Sequence, residues 1–474
     1  RPGNSYQGRQ KHCPRAPQLL QKSVSSELLS GMSVLWSVPF QLCSAVMCRY
    51  HMFPSSIYNP YIKRDSLRRK LILNSRKILP GEGMKYDFDK VIDRRNTSCL
   101  KWDYLAAFFR KDNLNSMWVA DMDFKAPPEI LIPIRERVEH GVFGYTAKPD
   151  EFYTAVIGWF KRRYDWNIKR DWIVTTPGVV PALNLVIQEC TETGDRVIIQ
   201  PPVYFPIKES VELNQREVVD NQLILRKGRY EIDWQDLEEK AVSSKMFVFC
   251  SPHNPVSRVW TMEELQRIAE ICQRNDLLVF SDEIHADIVF KPNRHIPTPV
   301  ISDYLHERTV AAYATSKTFN LAGLQMSINV IPNEELRKKF IISIKKLHMN
   351  MSNIFGIVGT QAAYSQGDQW LEELLQYLWK NFETVRDYVD EFIPAISVIE
   401  PDGTYLLWLD CRRLEMDDEK LSEFFVREAG LALSPGIMFG PGGSGFMRMN
   451  IGCTRKNLLS ALKSLKEALY LKKR

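Results

Sequence analysis

An α/β fold, with a mostly parallel central sheet in a large domain and a smaller α/β domain following it, is what this sequence predicts, and two observations carry that expectation. From Met84 onward, short apolar runs alternate with longer amphipathic ones, the pattern of strands joined by crossover helices. The chain is also long enough for two domains, with 474 residues of which 45% are hydrophobic and 25% charged, enough to bury a large core.

Residues 1–83 read differently from the rest. They hold 13 Lys+Arg against 3 Asp+Glu, whereas residues 84–474 hold 50 against 54. The overall charge of +6 therefore belongs to this stretch and does not point to a nucleic-acid or membrane surface on the remainder. Leu28 to Cys48 is uncharged and long enough to span a bilayer, yet its four serines, Pro39 and Gln41 argue against a membrane helix. A secretory signal fits poorly, because the nine scattered cysteines (Cys13, Cys43, Cys48, Cys99, Cys190, Cys250, Cys272, Cys411, Cys453) form no CxxC and no even framework. That usage favours reduced thiols in a cytoplasmic protein. In PGEGM (80–84), Gly-Glu-Gly can be encoded by a purine-rich run of the kind that precedes a bacterial start codon. Met84 is accordingly the expected start and residues 1–83 translated upstream sequence.

RVIIQ (196–200), MFVFC (246–250), LLVFS (277–281), TVAAYA (309–314) and SINVI (327–331) read as buried strands. Between the second and third, TMEELQRIAEICQRN (261–275) is an amphipathic helix whose Thr261 and Glu264 form a capping box. The smaller domain is expected from Trp370 to the end, built around VIEPDGTYLLWLDC and FMRMNIGC. Residues 131–369 then make the large domain, and 84–130 an N-terminal arm that joins the smaller one. Ligands of such sheets bind at the carboxyl ends of the strands. Those ends carry PPVYFP, SPHNPVSR, DEIHAD and TSKTFN, all with side chains capable of chemistry.

In that order, together with MWVADMDF (117–124), EHGVFGYT (139–146), TPGVVPALN (176–184), GTYLLWLD (403–410) and GFMRMNI (445–451), these stretches resemble the fold-type-I pyridoxal phosphate enzymes of the aminotransferase class I/II superfamily. Within it they are similar to the MalY/PatB branch of cystathionine β-lyases, or cysteine-S-conjugate β-lyases. The resemblance implies a pyridoxal 5′-phosphate cofactor, a small amino-acid substrate and a cytoplasmic homodimer, with no nucleic acid and no membrane as partners. It also makes 131–369 the cofactor-binding domain.

Lys317 is then the lysine that condenses with the cofactor aldehyde and carries the Cα proton, a role open to a primary amine; a surface lysine is the alternative. Asp282 pairs with the ring nitrogen, or else caps a helix. Asn254, between prolines, donates to the ring oxygen or closes an Asx turn. His285 stands where relatives often place a tyrosine donor to the same oxygen. Beside Glu283 and Asp287 it also suggests a metal cluster, for which no second histidine at ligand spacing speaks, and no metal is expected. Tyr204 stacks on the ring face or is a core tyrosine. Gly178, with Val179 and Val180, opens a helix whose free amides receive the phosphate, and Ser316 adds a hydroxyl. By the same resemblance, Tyr145 is expected to reach the phosphate of the neighbouring subunit. Arg448 grips the substrate carboxylate with its two-pronged guanidinium, or is a salt-bridged surface arginine.

Three positions depart from the pattern: Ser251 where asparagine is expected, Ser257 where glycine is expected, and Gln325 where many aminotransferases carry a phosphate-binding arginine. The last favours the lyase branch over an aminotransferase. A transcription regulator with an aminotransferase-like domain is the rival of a different class, but residues 1–83 lack the two amphipathic helices of a helix-turn-helix.

Overall fold

The computed structural model describes residues 84–472; the expectations for residues 1–83 lie outside the described residues. Seven strands form the large sheet: β1 (Ile173–Thr176), β2 (Arg196–Ile199), β3 (Glu217–Asp220), β4 (Met246–Cys250), β5 (Leu278–Asp282), β6 (Thr309–Tyr313) and β7 (Ser327–Val330). Their spatial order is β1-β7-β6-β5-β4-β2-β3. The five strands from β6 to β3 in this order are mutually parallel, and β7 runs antiparallel to both its neighbours.

Alternate residues of each strand feed opposite apolar layers, as the two-residue period of a strand requires. Met246, Val248 and Cys250 join the layer under the helix Val179–Cys190. Phe247 and Phe249 join the layer under the helix Met262–Arg274. Burial on both faces is why these strands read as unbroken apolar runs. The capping box is formed: the Thr261 hydroxyl accepts from the Glu264 amide at 3.2 Å, and the Glu264 carboxylate accepts from the Thr261 amide at 2.8 Å.

The antiparallel course of β7 has a physical reason. Parallel neighbours need a crossover that carries the chain back across the sheet. The connection from Tyr313 to Ser327 instead spends its length on the short helix Thr315–Thr318 and a 3-10 turn at Ala322–Leu324. Lys317 therefore stays at the carboxyl edge.

A second, antiparallel sheet has the order β8 (Ser397–Val398), β9 (Leu406–Asp410), β11 (Phe446–Asn450), β10 (Ser434–Pro435). It follows the long helix Asp368–Phe392 and precedes the helix Arg455–Lys472. Asn115–Ser116 pairs in parallel with Leu431–Ala432, which ties the early segment to this late one. Among the described residues no helix is long and apolar enough to cross a membrane.

Ser257, the position at which glycine is expected, has φ +57°, a left-handed conformation that glycine adopts without strain. Its hydroxyl compensates by bonding the Thr404 hydroxyl at 2.8 Å and the Leu406 carbonyl at 2.5 Å. Gly403, whose amide bonds the Ser257 carbonyl, lies so close to the 288–289 backbone that an added Cβ would meet the Ile288 carbonyl oxygen at 2.5 Å. Gly403→Ala is expected to destabilise the fold by about 1–3 kcal/mol through this overpacking, measured as a lower urea midpoint with an unchanged slope.

Candidate active site

The segments that follow β2, β4, β5 and β6 bring Tyr204, Asn254, His285 and Lys317 together with Asp282 at the end of β5 and Arg448 of β11 in the second sheet. Lys317 sits partly buried in the helix Thr315–Thr318, directly after β6, with its Nζ donating to the Ala120 carbonyl at 2.7 Å. Burial lowers its pKa to about 8, against the opposing pull of Asp121 and Asp282. Asp282, the last residue of β5, is buried and accepts from the Ile284 amide at 3.2 Å. Burial raises its pKa to about 6, which the Ile284 amide and Lys317 partly counter. It is thus mostly ionised at neutral pH.

Arg448, in the middle of β11, is only 4% exposed. One guanidinium nitrogen donates to Asn254 Oδ1 at 3.0 Å; another donates to the Trp118 carbonyl at 2.9 Å and the Ser434 hydroxyl at 3.3 Å. Phe439 lies under it, 4.8 Å from ring centroid to Cζ. Among the described residues its Nε has no partner, and burial lowers its pKa to about 10. Every one of its hydrogen bonds goes to a neutral acceptor. A buried cation without a carboxylate is costly, and the surface-arginine alternative fails on burial alone.

His285 is 1% exposed, and among the described residues its Nδ1 has no partner. Burial, with Lys317 and Arg448 nearby, drives its pKa well below the usual imidazole value, so it is neutral. Glu283 and Asp287 bind other side chains instead of facing it, and among the described residues no three His, Cys, Asp or Glu side chains stand at metal-binding spacing. Tyr204, partly buried beside Phe205, feels both Arg448 and Asp282. Gly178 is the N-cap of the helix Val179–Cys190, whose first-turn amides, those of Val179 and Val180 included, have no intrahelical acceptor. Ser316 is half-buried in the same short helix as Lys317. Tyr145 stands apart: it is 97% exposed, on a cavity of about 460 Å³ lined also by Phe143, Met351 and Ile354.

Three contributors were missed by sequence reasoning. Tyr405 is fully buried and donates from its hydroxyl to the same Ala120 carbonyl, at 2.9 Å. Asn450 donates to the Val119 and Asp121 carbonyls at 2.5 and 2.6 Å. The backbone of 118–121 is the third. Asn450 was legible, since it lies two residues beyond Arg448 on the same strand and hence on the same face. The carbonyls carry no signal of residue type.

This donor set suits a flat, anionic aldehyde: an amine of low pKa, an ionised carboxylate with only one donor, an orphaned neutral imidazole and a glycine-opened helix start. The chain resembles known proteins of that chemistry. A family model described as aminotransferase class I and II matches residues 121–465. Cystathionine beta-lyase PatB of Bacillus subtilis is 40% identical over 385 residues, covering 81% of this chain and 100% of PatB. Cystalysin of Treponema denticola, whose crystal structure contains a pyridoxal 5′-phosphate cofactor, is 36% identical at a TM-score of 0.80, covering 82% of this chain and 100% of that one. The PLP-bound C-S lyase of Staphylococcus hominis is 33% identical at a TM-score of 0.77, covering 82% and 99%.

A lowered lysine pKa has a direct consequence for reactivity. In the cofactor-free chain, competitive acetylation of Lys317 is expected to rise through a midpoint near pH 8, while exposed lysines titrate above about 10. Mass spectrometry of the labelled peptides reads both, and a Lys317 midpoint among the exposed lysines would contradict the burial argument.

Proposed function

We propose that this chain, which belongs to the aminotransferase class I and II family, is a pyridoxal 5′-phosphate-dependent carbon–sulfur β-lyase of the MalY/PatB branch that cleaves L-cystathionine or a similar cysteine S-conjugate. The overall reaction adds water and releases a thiol, pyruvate and ammonia. The observation that carries the substrate class is Arg448, buried beside Lys317 and Asp282 with no carboxylate of its own.

When bound, the cofactor supplies an aldehyde for the amine linkage and a ring that accepts the electrons freed at Cα. Lys317, with a pKa of about 8, holds the aldehyde before substrate arrives and afterwards takes the Cα proton on Nζ. Asp282 would keep its carboxylate near the ring nitrogen, where a negative charge favours the proton that makes the ring electron-poor. Asn254 and His285 would bond the ring oxygen, and Tyr204 would cover one face. The amides of Gly178, Val179 and Val180, with the Ser316 hydroxyl, would receive the phosphate. Arg448 clamps the substrate carboxylate in two parallel hydrogen bonds, which fixes the Cα–H bond relative to the ring. With the cofactor bound, its ring would take up the Cα electrons once Lys317 has removed the proton, which would let a thiolate depart from Cβ.

PatB, by its name a cystathionine beta-lyase, and glutamine at 325 favour elimination over transamination. The same Lys317, Asp282 and Arg448 would serve either. The reading also divides the chain into an arm at 84–130, a cofactor-binding domain at 131–369 and a smaller domain from 370. It includes a homodimer in which Tyr145 reaches the partner's phosphate. In support, Val142, Phe143 and Tyr145 form an apolar strip, each more than half exposed. A cytoplasmic setting agrees with the six described cysteines, all free.

With L-cystathionine and no keto acid, pyruvate, ammonia and homocysteine are expected in equal amounts over many turnovers. Turnover that stops after one equivalent until a keto acid is added would make the chain an aminotransferase. Lys317→Ala is expected to abolish turnover, and Arg448→Lys to lower kcat/KM by about a hundredfold, as the loss of a two-pronged clamp implies. Sedimentation should show a dimer; a monomer with full activity would remove Tyr145 from the site.

A further inference from the structure

The motif DEIHAD (282–287) divides between two sides of the chain. Asp282 and His285 face Lys317, whereas Glu283 and Asp287 point away and are buried, 1% and 5% exposed. Asp287 takes three neutral donors. Trp159 Nε1 at 3.0 Å and the Tyr164 hydroxyl bond one carboxylate oxygen, and the Thr318 hydroxyl bonds the other at 2.7 Å. Glu283 is equally occupied, by the Ser281 hydroxyl and Thr298 amide at 2.9 Å, by His295 at 2.5 Å and by the Tyr313 hydroxyl.

Burying a carboxylate costs several kcal/mol unless its oxygens are filled. Here they are filled from elements that bracket the reactive amine: Tyr313 ends β6, four residues before Lys317, and Thr318 follows it directly. Only a carboxylate can accept all three donors at Asp287, since asparagine would present an N–H₂ to one of them. Among the described residues, the Thr318 hydroxyl makes the one side-chain hydrogen bond from that four-residue helix to the segment that follows Asp282.

We propose that Asp287 is a positioning residue for Lys317: by holding the Thr318 hydroxyl it fixes the short helix against the segment that carries Asp282, so that the lysine amine and the carboxylate keep one spacing. Glu283 does the same for the preceding strand end through Tyr313. The inference rests on the proposed role of Lys317.

Thr318→Val, which keeps shape and loses the hydroxyl, is compared with Thr318→Ser, which keeps the hydroxyl. In cofactor-stripped protein, attachment of pyridoxal 5′-phosphate to Lys317 is trapped with borohydride and counted by mass. The valine variant is expected to attach it about tenfold more slowly and, once loaded, to lose kcat by a similar factor with KM nearly unchanged, as a misplaced reacting group implies. Serine is expected to restore both. If the valine variant does not fold, Thr318→Ala carries the same expectation. Attachment by the valine or alanine variant at the wild-type rate would overturn the proposal, as would equal losses in the serine variant. Wild-type protein that attaches the cofactor yet makes no pyruvate from cystathionine would overturn the lyase reading alone, and the attachment rates would still decide this one.

Discussion

From Trp118 to Met122 the chain is neither helix nor strand, so its carbonyls must find donors outside any ladder. The donors are the side chains of the site. Arg448 takes Trp118, Asn450 takes Val119 and Asp121, Lys317 and Tyr405 share Ala120, and Asn320 with Arg94 takes Met122. One irregular segment thereby joins β11, the turn before β9 and the Lys317 helix. The three elements of the site meet on this one stretch of backbone.

That segment is itself anchored by charge. Asp123 is buried and paired with Lys101, fully buried, at 3.0 Å and with Arg94 at 2.9 Å, and Trp102 Nε1 donates to it at 3.0 Å. A buried ion pair adds little net stability over an apolar pair. It does specify geometry, since each partner left alone would be a buried unpaired charge. Asp121, the neighbour in this cluster, bonds Arg94 at 2.7 Å and is also the acid that most opposes the burial shift on Lys317. The anchor of the segment and the electrostatics of the amine are therefore one arrangement.

Around Lys317 the charges are arranged so that a ligand completes them. Lys317 and Arg448 are cations whose burial lowers their pKa, and Asp282 is an acid whose burial raises its own. Each is made less comfortable as an ion by the absence of water. A cation beside Asp282 and a carboxylate on Arg448 would supply the missing partners, and the neutral His285, near Lys317 and Arg448, adds no charge to the balance.

How much of this was legible in the sequence depends on the kind of signal. Short-range chemistry was: the apolar runs that became β2, β4, β5 and β6, the capping box at Thr261, the strand-end residues Lys317, Asp282 and Asn254, and Arg448 within β11, because residue type and two-residue periodicity are local properties. The antiparallel return of β7 was not, since it depends on how a thirteen-residue connection spends its length, and composition does not encode direction. Nor was the role of Ala120 and its neighbours, because a backbone carbonyl is the same in every residue. The sequence by itself determined which groups could do chemistry and at which strand ends they stand. Only the tertiary structure decided which of them face one another: that Glu283 and Asp287 turn to the far side of the chain from Asp282, that Arg448 has no carboxylate, and that Tyr405 meets Lys317 on a single oxygen. Those facts come from side chains far apart in sequence competing for the same buried acceptors, and no local pattern records the outcome.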